Sequence, residues 1–427
     1  MKTLMFAMPL ALALAAQATP VVSNVQIEQR NSRTVKVTYN LSEDAVVTVD
    51  FLTNATAEVW ASIGGKNVTH VWGDCNRLVK GSGPHTLYWA PEKSWGAQFA
   101  DTFSVKAEVK AWAVDAPPDY MVVDLCAEKT VRYYASADFL PDGGVTNEVY
   151  KSDKLVMRKI PAKGVEWRMG SPTGEVGKSK AENEWNGLET PHYVTFTNDF
   201  YLAVFELTRR QGIDRMGFGY WYGDVHYYHP LAGGSTYGGV TYTDMRGKNS
   251  LWPSSGHDVD NGSCLYNLRA KTGIDFDLPT EAQWEFACRA GVGTALPNGK
   301  EMDAEESSAS LDDIAWCLNN AENTFHDVGS LAPNGFGLYD MLGNIGEYCL
   351  DVITPHTGLG SASVTEPTGA TGDLYSQRVV RGGSYANKAH YCRSAFRQAY
   401  AYIWDQSKNE KKKDNVGFRL WAPAIAK

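Results

Sequence analysis

Beyond Leu155, glycine, tryptophan, tyrosine and asparagine interrupt the chain so often that only two stretches carry a helical pattern. A domain with so much irregular backbone must be held by turn chemistry and buried rings instead of stacked regular layers. One helix is expected over 204–211 and the other within 278–288. In the second, Pro279 presets the entry, Thr280 caps, and Gln283 three residues on completes a capping box.

The preceding part has a different period. Thr34-Val35-Lys36-Val37-Thr38-Tyr39, Ala45-Val46-Val47-Thr48-Val49-Asp50 and Phe103-Ser104-Val105-Lys106-Ala107 alternate polar with β-branched or aromatic residues, and His85-Thr86-Leu87-Tyr88-Trp89 fits the same set. Short strands separated by turns predict an all-β sandwich of immunoglobulin or fibronectin type over 19–125. Pro117-Pro118 closes it, because consecutive prolines cannot sit inside a sheet ladder. A connector over 126–154 leads to a mixed α+β domain over 155–427. At 427 residues and 43% hydrophobic the chain is long enough for both cores. No repeat of solenoid or propeller length is visible.

Met1-Lys2-Thr3, an apolar run to Ala16 and the small-x-small site Ala16-Gln17-Ala18 read as a signal peptide over 1–18. No later segment is apolar for long enough to span a bilayer, so an exported protein, periplasmic or secreted, is expected. The net charge of -9 and the isolated basic run Lys411-Lys412-Lys413 argue against a nucleic-acid partner. Seven cysteines without a C-x-x-C pair suggest structural disulfides in that compartment, with at least one thiol left over. Cys75 and Cys126 are the N-terminal candidates for pairing.

Chemistry concentrates late in the chain. Leu342-Gly343-Asn344-Ile345-Gly346-Glu347 sets an amide oxygen and a carboxylate three residues apart in a glycine-loosened loop, an oxygen-only set of the kind Ca²⁺ prefers. The alternative is an Asx turn at Asn344 and an arginine partner for Glu347. His226 and His229 are three apart in a tyrosine-rich loop and read as packing or surface histidines. No nucleophile elbow, dinucleotide fingerprint or phosphate loop occurs, which leaves hydrolase, dehydrogenase and kinase readings unsupported.

Six phrases resemble the formylglycine-generating enzyme, or sulfatase-modifying factor, family. They are Trp167-Arg168-Met169-Gly170-Ser171, Glu189-Thr190-Pro191-His192, Glu206-Leu207-Thr208, the segment 278–288, Asn334-Gly335-Phe336-Gly337-Leu338-Tyr339 running into Leu342–Tyr348, and Arg381-Gly382-Gly383-Ser384-Tyr385 with Asn415-Val416-Gly417-Phe418-Arg419. The resemblance implies a C-type-lectin-like fold, a calcium site at Asn344 and Glu347, and an oxygen-pocket serine at Ser384. It also implies copper-dependent oxidation of a sulfatase cysteine to formylglycine. That oxidation uses two cysteines whose places fall on Asn387 and Cys392, so copper is doubtful. Relatives without the copper pair suggest a Cys349–Cys392 disulfide. Iron is not expected, since no two histidines are four apart.

The same lectin-like fold serves as a scaffold for ligand display. The 385–409 segment holds Tyr385, Asn387, Tyr391, Tyr402 and Trp404, residue types that give contact area and adaptable hydrogen bonds, for a protein or glycan ligand. The sequence therefore leaves two expectations open, an oxidase and a non-catalytic binding protein.

Overall fold

A computed structural model describes residues 19–427 apart from 32, 57–58, 97–104, 179–188, 219–225, 233–239, 355–362, 373–375 and 401–414. The expected signal peptide lies outside the described residues, as do Tyr402 and Trp404.

The alternating N-terminal segments form two antiparallel sheets. In one, Val22–Asn31, Thr34–Leu41, Gly83–Trp89 and Val71–Gly73 are neighbours in that order. In the other, Ala45–Thr56 pairs with Val59–Ser62, Arg77–Val79 and Val105–Trp112. Every second residue of Thr34–Leu41 is buried, as a strand of period two with one wet face requires. Val35, Val37, Tyr39 and Leu41 meet Ala45, Val47, Val49, Phe51 and Val105 in one apolar cluster, with the Phe51 and Trp89 rings stacked 4.0 Å apart.

The boundary after this unit needs correction. Tyr120–Asp124 and Val131–Tyr134, read from sequence as the end of the first domain and part of a connector, are strands of the next unit. They join Lys154–Ile160, Phe200–Ala203 and Trp421–Pro423 in a five-stranded antiparallel sheet. Tyr120, Met121, Val122 and Val123 are all buried, so this strand is covered on both faces and shows no alternation. Pro117 and Pro118 stand just before it and mark an entry.

The helix expected over 204–211 is displaced. Val204 and Leu207 instead donate backbone hydrogen bonds to Val156 and Phe418, and helical turns begin only at Arg210–Arg215. Burial against the sheet outweighs local propensity there. Glu281–Arg289 forms as expected: the Thr280 hydroxyl accepts from the Gln283 N–H at 3.2 Å, and the Gln283 side-chain oxygen accepts from the Thr280 N–H at 2.9 Å. All nine of its residues are buried, which makes it the axis of the domain. A second capping box, Thr241 with Asp244, starts the short helix Tyr242–Arg246.

Charged pairs take the place of layers. Arg246, Arg381, Arg393 and Arg419 are fully buried and each meets a carboxylate: Asp277, Glu285, Glu189 and Glu347. Arg393 grips Glu189 with two hydrogen bonds, 2.7 and 2.9 Å long, while Ser171 donates to the same carboxylate at 2.7 Å. Such forks fix irregular loops at defined angles because guanidinium and carboxylate are planar.

Among the described residues all seven cysteines are free thiols, so the expected Cys75–Cys126 and Cys349–Cys392 bridges are absent. Cys75 is buried in the core of the first unit and Cys126 is exposed. Cys349 and Cys392 are both buried in one apolar cluster with Cys288 and Cys317; burial and then Asp351 push the Cys349 thiol up, burial and then Cys317 that of Cys392.

Candidate functional site

The site grows from a sheet in which Gly346–Val352 lies between Arg378–Arg381 and Val416–Gly417. Beyond Arg381 the glycines Gly382 and Gly383 turn with φ of +90° and +70°. A Cβ on Gly383 would lie 2.7 Å from the Cys392 sulfur, so only glycine admits that thiol beneath the turn.

Ser384 is buried and donates to Asn387 Oδ1 at 2.7 Å. Asn415 donates to the Ser384 oxygen at 3.1 Å. Asn387 accepts at its backbone from Leu318 at 2.9 Å, which ties the turn to the segment carrying Trp316 and Cys317. Burial, then the neighbouring Cys317, pushes the Cys392 thiol well above its ordinary value against the opposing Ser384 and Gly343 N–H groups. Burial pushes Cys317 up as well. Without a metal both thiols stay protonated at neutral pH, and a protonated thiol is a poor nucleophile.

Asn344 and Glu347 sit below this floor, each at most 1% exposed. Asn344 donates to Glu206 at 2.6 Å and its oxygen accepts from the His326 N–H at 2.9 Å. Glu347 accepts from Trp284 Nε1 at 2.6 Å and pairs with Arg419 at 2.7 Å. The arginine partner named as the alternative for Glu347 is thus the arrangement present. In this arrangement the oxygens of Asn344 and Glu347 accept from N–H groups, and Ca²⁺ would have to share or displace those donors. Burial and the nearby Asp340 and Glu347 hold Glu206 far above the usual carboxylate range, leaving Arg419 as the balancing charge.

Beside Ser384 the structure collects rings that sequence reading left dispersed. Tyr385 meets Phe325 edge-on at 5.6 Å, Phe325 meets His229 at 5.1 Å, and His229 stacks on His226 at 4.4 Å. Trp316 stacks on His326 at 3.8 Å, and Arg209 lies 4.5 Å over Phe325. Burial, then the charge of Arg209, pushes His229 down to about 3, so it remains neutral. Tyr385 and Asn387 of the expected face are half-buried at this place. Tyr391 is half-buried too, with its ring 4.9 Å from Phe396. The histidine loop was visible in the sequence, but its approach to residues 316–326 is a long-range fact that no local pattern carries.

The glycine-turned floor, the buried thiol and the ion-locked helix all lie within one sulfatase-modifying-factor-type domain. Residues 164–423 match the Sulfatase-modifying factor enzyme 1-like domain, and the chain belongs to that family. It is 32% identical over 151 residues to the formylglycine-generating enzyme of Mus musculus, covering 34% of this chain and 38% of that one. It is 34% identical over 131 residues to the formylglycine-generating enzyme of Thermomonospora curvata, covering 27% and 40%. The chain thus matches about two fifths of the length of these relatives. Among solved structures, Treponema denticola variable protein 1 aligns at 20% identity with a TM-score of 0.45, covering 66% of this chain and 98% of that one. Among the described residues no helix is long and apolar enough to cross a membrane.

Proposed function

We propose that this chain is an exported recognition protein whose family domain binds a polypeptide client without oxidising it, the first two-sheet unit being an immunoglobulin-type spacer. The observation that carries this reading is the 2.7 Å hydrogen bond from Ser384 to Asn387. It puts an amide where the family has its first copper thiolate, and an amide oxygen is a hard, neutral donor that Cu(I) does not select. Cys392 keeps a thiol neighbour in Cys317, but that residue does not stand at the family's first copper position, which Asn387 fills. The residues present do not fit a copper centre of the family's kind.

Next to this position the series Tyr385, Phe325, His229 and His226 offers rigid ring area with polar edges, the composition of surfaces that bind other chains. A sulfatase is itself a protein, so the family name supports a polypeptide as the client class. The apolar run before Ala16-Gln17-Ala18 supports export.

The test supplies the full chain with Cu(I), dioxygen and a peptide bearing a sulfatase's reactive cysteine. No aldehyde is expected, and aldehyde formed above the protein-free rate would overturn the reading. Binding of the unmodified, unfolded sulfatase is expected to weaken about tenfold or more in Phe325→Ala, as for a central aromatic contact. Unchanged binding in that variant would remove the ring surface from the proposal.

A further inference from the structure

A cavity of about 380 Å³ lies apart from Ser384 and is lined by Asp351, Glu281, Arg397, His192 and the loop 364–370. Arg397 and Glu281 form a two-point ion pair, with Nη2 to Oε2 at 2.6 Å, and Arg397 also donates to the Thr354 carbonyl at 2.7 Å. Arg381, 3.7 Å from Glu281, is itself paired with Glu285. The positive charge near the cavity is therefore committed.

Asp351 is the group left over. It is 4% exposed, and its Oδ2 accepts from the Glu281 N–H at 2.6 Å. Its Oδ1 takes no side-chain donor among the described residues and lies against Gly369, where a Cβ would stand 2.9 Å away. With Asp351 and Glu281 ionised, these two carry one negative charge more than Arg397 neutralises, and Glu366 on the loop, which among the described residues accepts only from Thr197, adds to the excess. A buried unpaired charge is costly, so the cavity is complementary to a cation at Asp351.

We propose that this cavity binds a small organic molecule through a primary ammonium group, with Asp351 Oδ1 as its acceptor and the Glu281–Arg397 pair as a fixed wall. A bare metal ion fits less well, because a hard cation needs six or more oxygens and no three His, Cys, Asp or Glu among the described residues are placed to hold one. An ammonium needs few acceptors, and its organic remainder fills a volume within the range of small-molecule pockets. This inference is independent of the client-binding reading.

The probe is n-butylammonium, with butan-1-ol as its neutral counterpart, titrated into the full chain while the amide signals of Gly369 and Ala370 are followed. Burial, then the charge of Glu281, holds Asp351 up at about 7. Deprotonation is therefore part of ammonium binding, and affinity is expected to be about tenfold tighter at pH 8 than at pH 6. His192, Glu366 and Cys349 also stand near Asp351, so Asp351→Asn identifies the titrating group: it should abolish the pH dependence and the preference over butan-1-ol. Equal affinity for both probes, or affinity that does not change between the two pH values, overturns the proposal. Those two wild-type readings suffice even if the variant does not fold.

Discussion

Arg419→Met is expected to destabilise the family domain by about 3–5 kcal/mol, the usual consequence of leaving a buried carboxylate without its partner. Arg419 is fully buried; it pairs with Glu347 and donates to the carbonyls of Ala203, Val204 and Tyr339. Its loss would leave Glu347 without its countercharge and take a donor from three carbonyls, of which, among the described residues, only that of Val204 keeps another, the Tyr339 N–H, with Glu206 and Asp340 close by. Urea unfolding followed by tryptophan fluorescence reads the change. The double variant Arg419→Met with Glu347→Gln should recover part of the loss, since the charge left behind is then removed. A single variant within about 1 kcal/mol of wild type, the range of exposed ion pairs, would show that the lock contributes little.

Gly343→Ala should be nearly as damaging, at about 2–5 kcal/mol, from left-handed strain together with overpacking. Gly343 has φ +73°, and a Cβ there would lie 2.2 Å from the Trp316 carbonyl oxygen and 2.7 Å from its nitrogen. Both are backbone atoms of the segment Ala315–Trp316, which pairs in parallel with Leu342–Gly343, so neither can swing aside. Gly291→Ala is the control: φ is +86° there, but nothing lies within 4 Å of the added atom. That variant should show the conformational part alone, about 1–2 kcal/mol. If the two variants unfold at the same denaturant concentration, close packing at Trp316 is not what selects glycine at 343.

Features fixed by near neighbours were legible in the sequence. The Thr280–Gln283 box announced Glu281–Arg289 because its partners are three residues apart, and Thr34–Leu41 announced itself because one face is wet. Tyr120–Asp124 did not, since burial on both faces erases alternation. The site divides in the same way. Ser384, Asn387 and Cys392 could be placed by counting along one phrase, and the family follows from such phrases. The partner of Glu347 is 72 residues away and that of Arg393 is 204, so neither distance leaves a periodic trace. The thiol assignment failed because export argues for oxidation in general, while pairing depends on which sulfurs the fold brings together.

Trp421–Pro423 is an edge strand of the five-stranded sheet, and its neighbour Arg419 is the charge that Glu347 needs. During translation, therefore, the sheet and the ion lock must wait until the ribosome has released residues as late as Pro423. Until then Phe200–Ala203 presents an unpaired backbone edge and Glu347 lacks its guanidinium. The later domain therefore completes its fold only near the end of synthesis, after the first unit, whose core lies within residues 35–105, has already emerged.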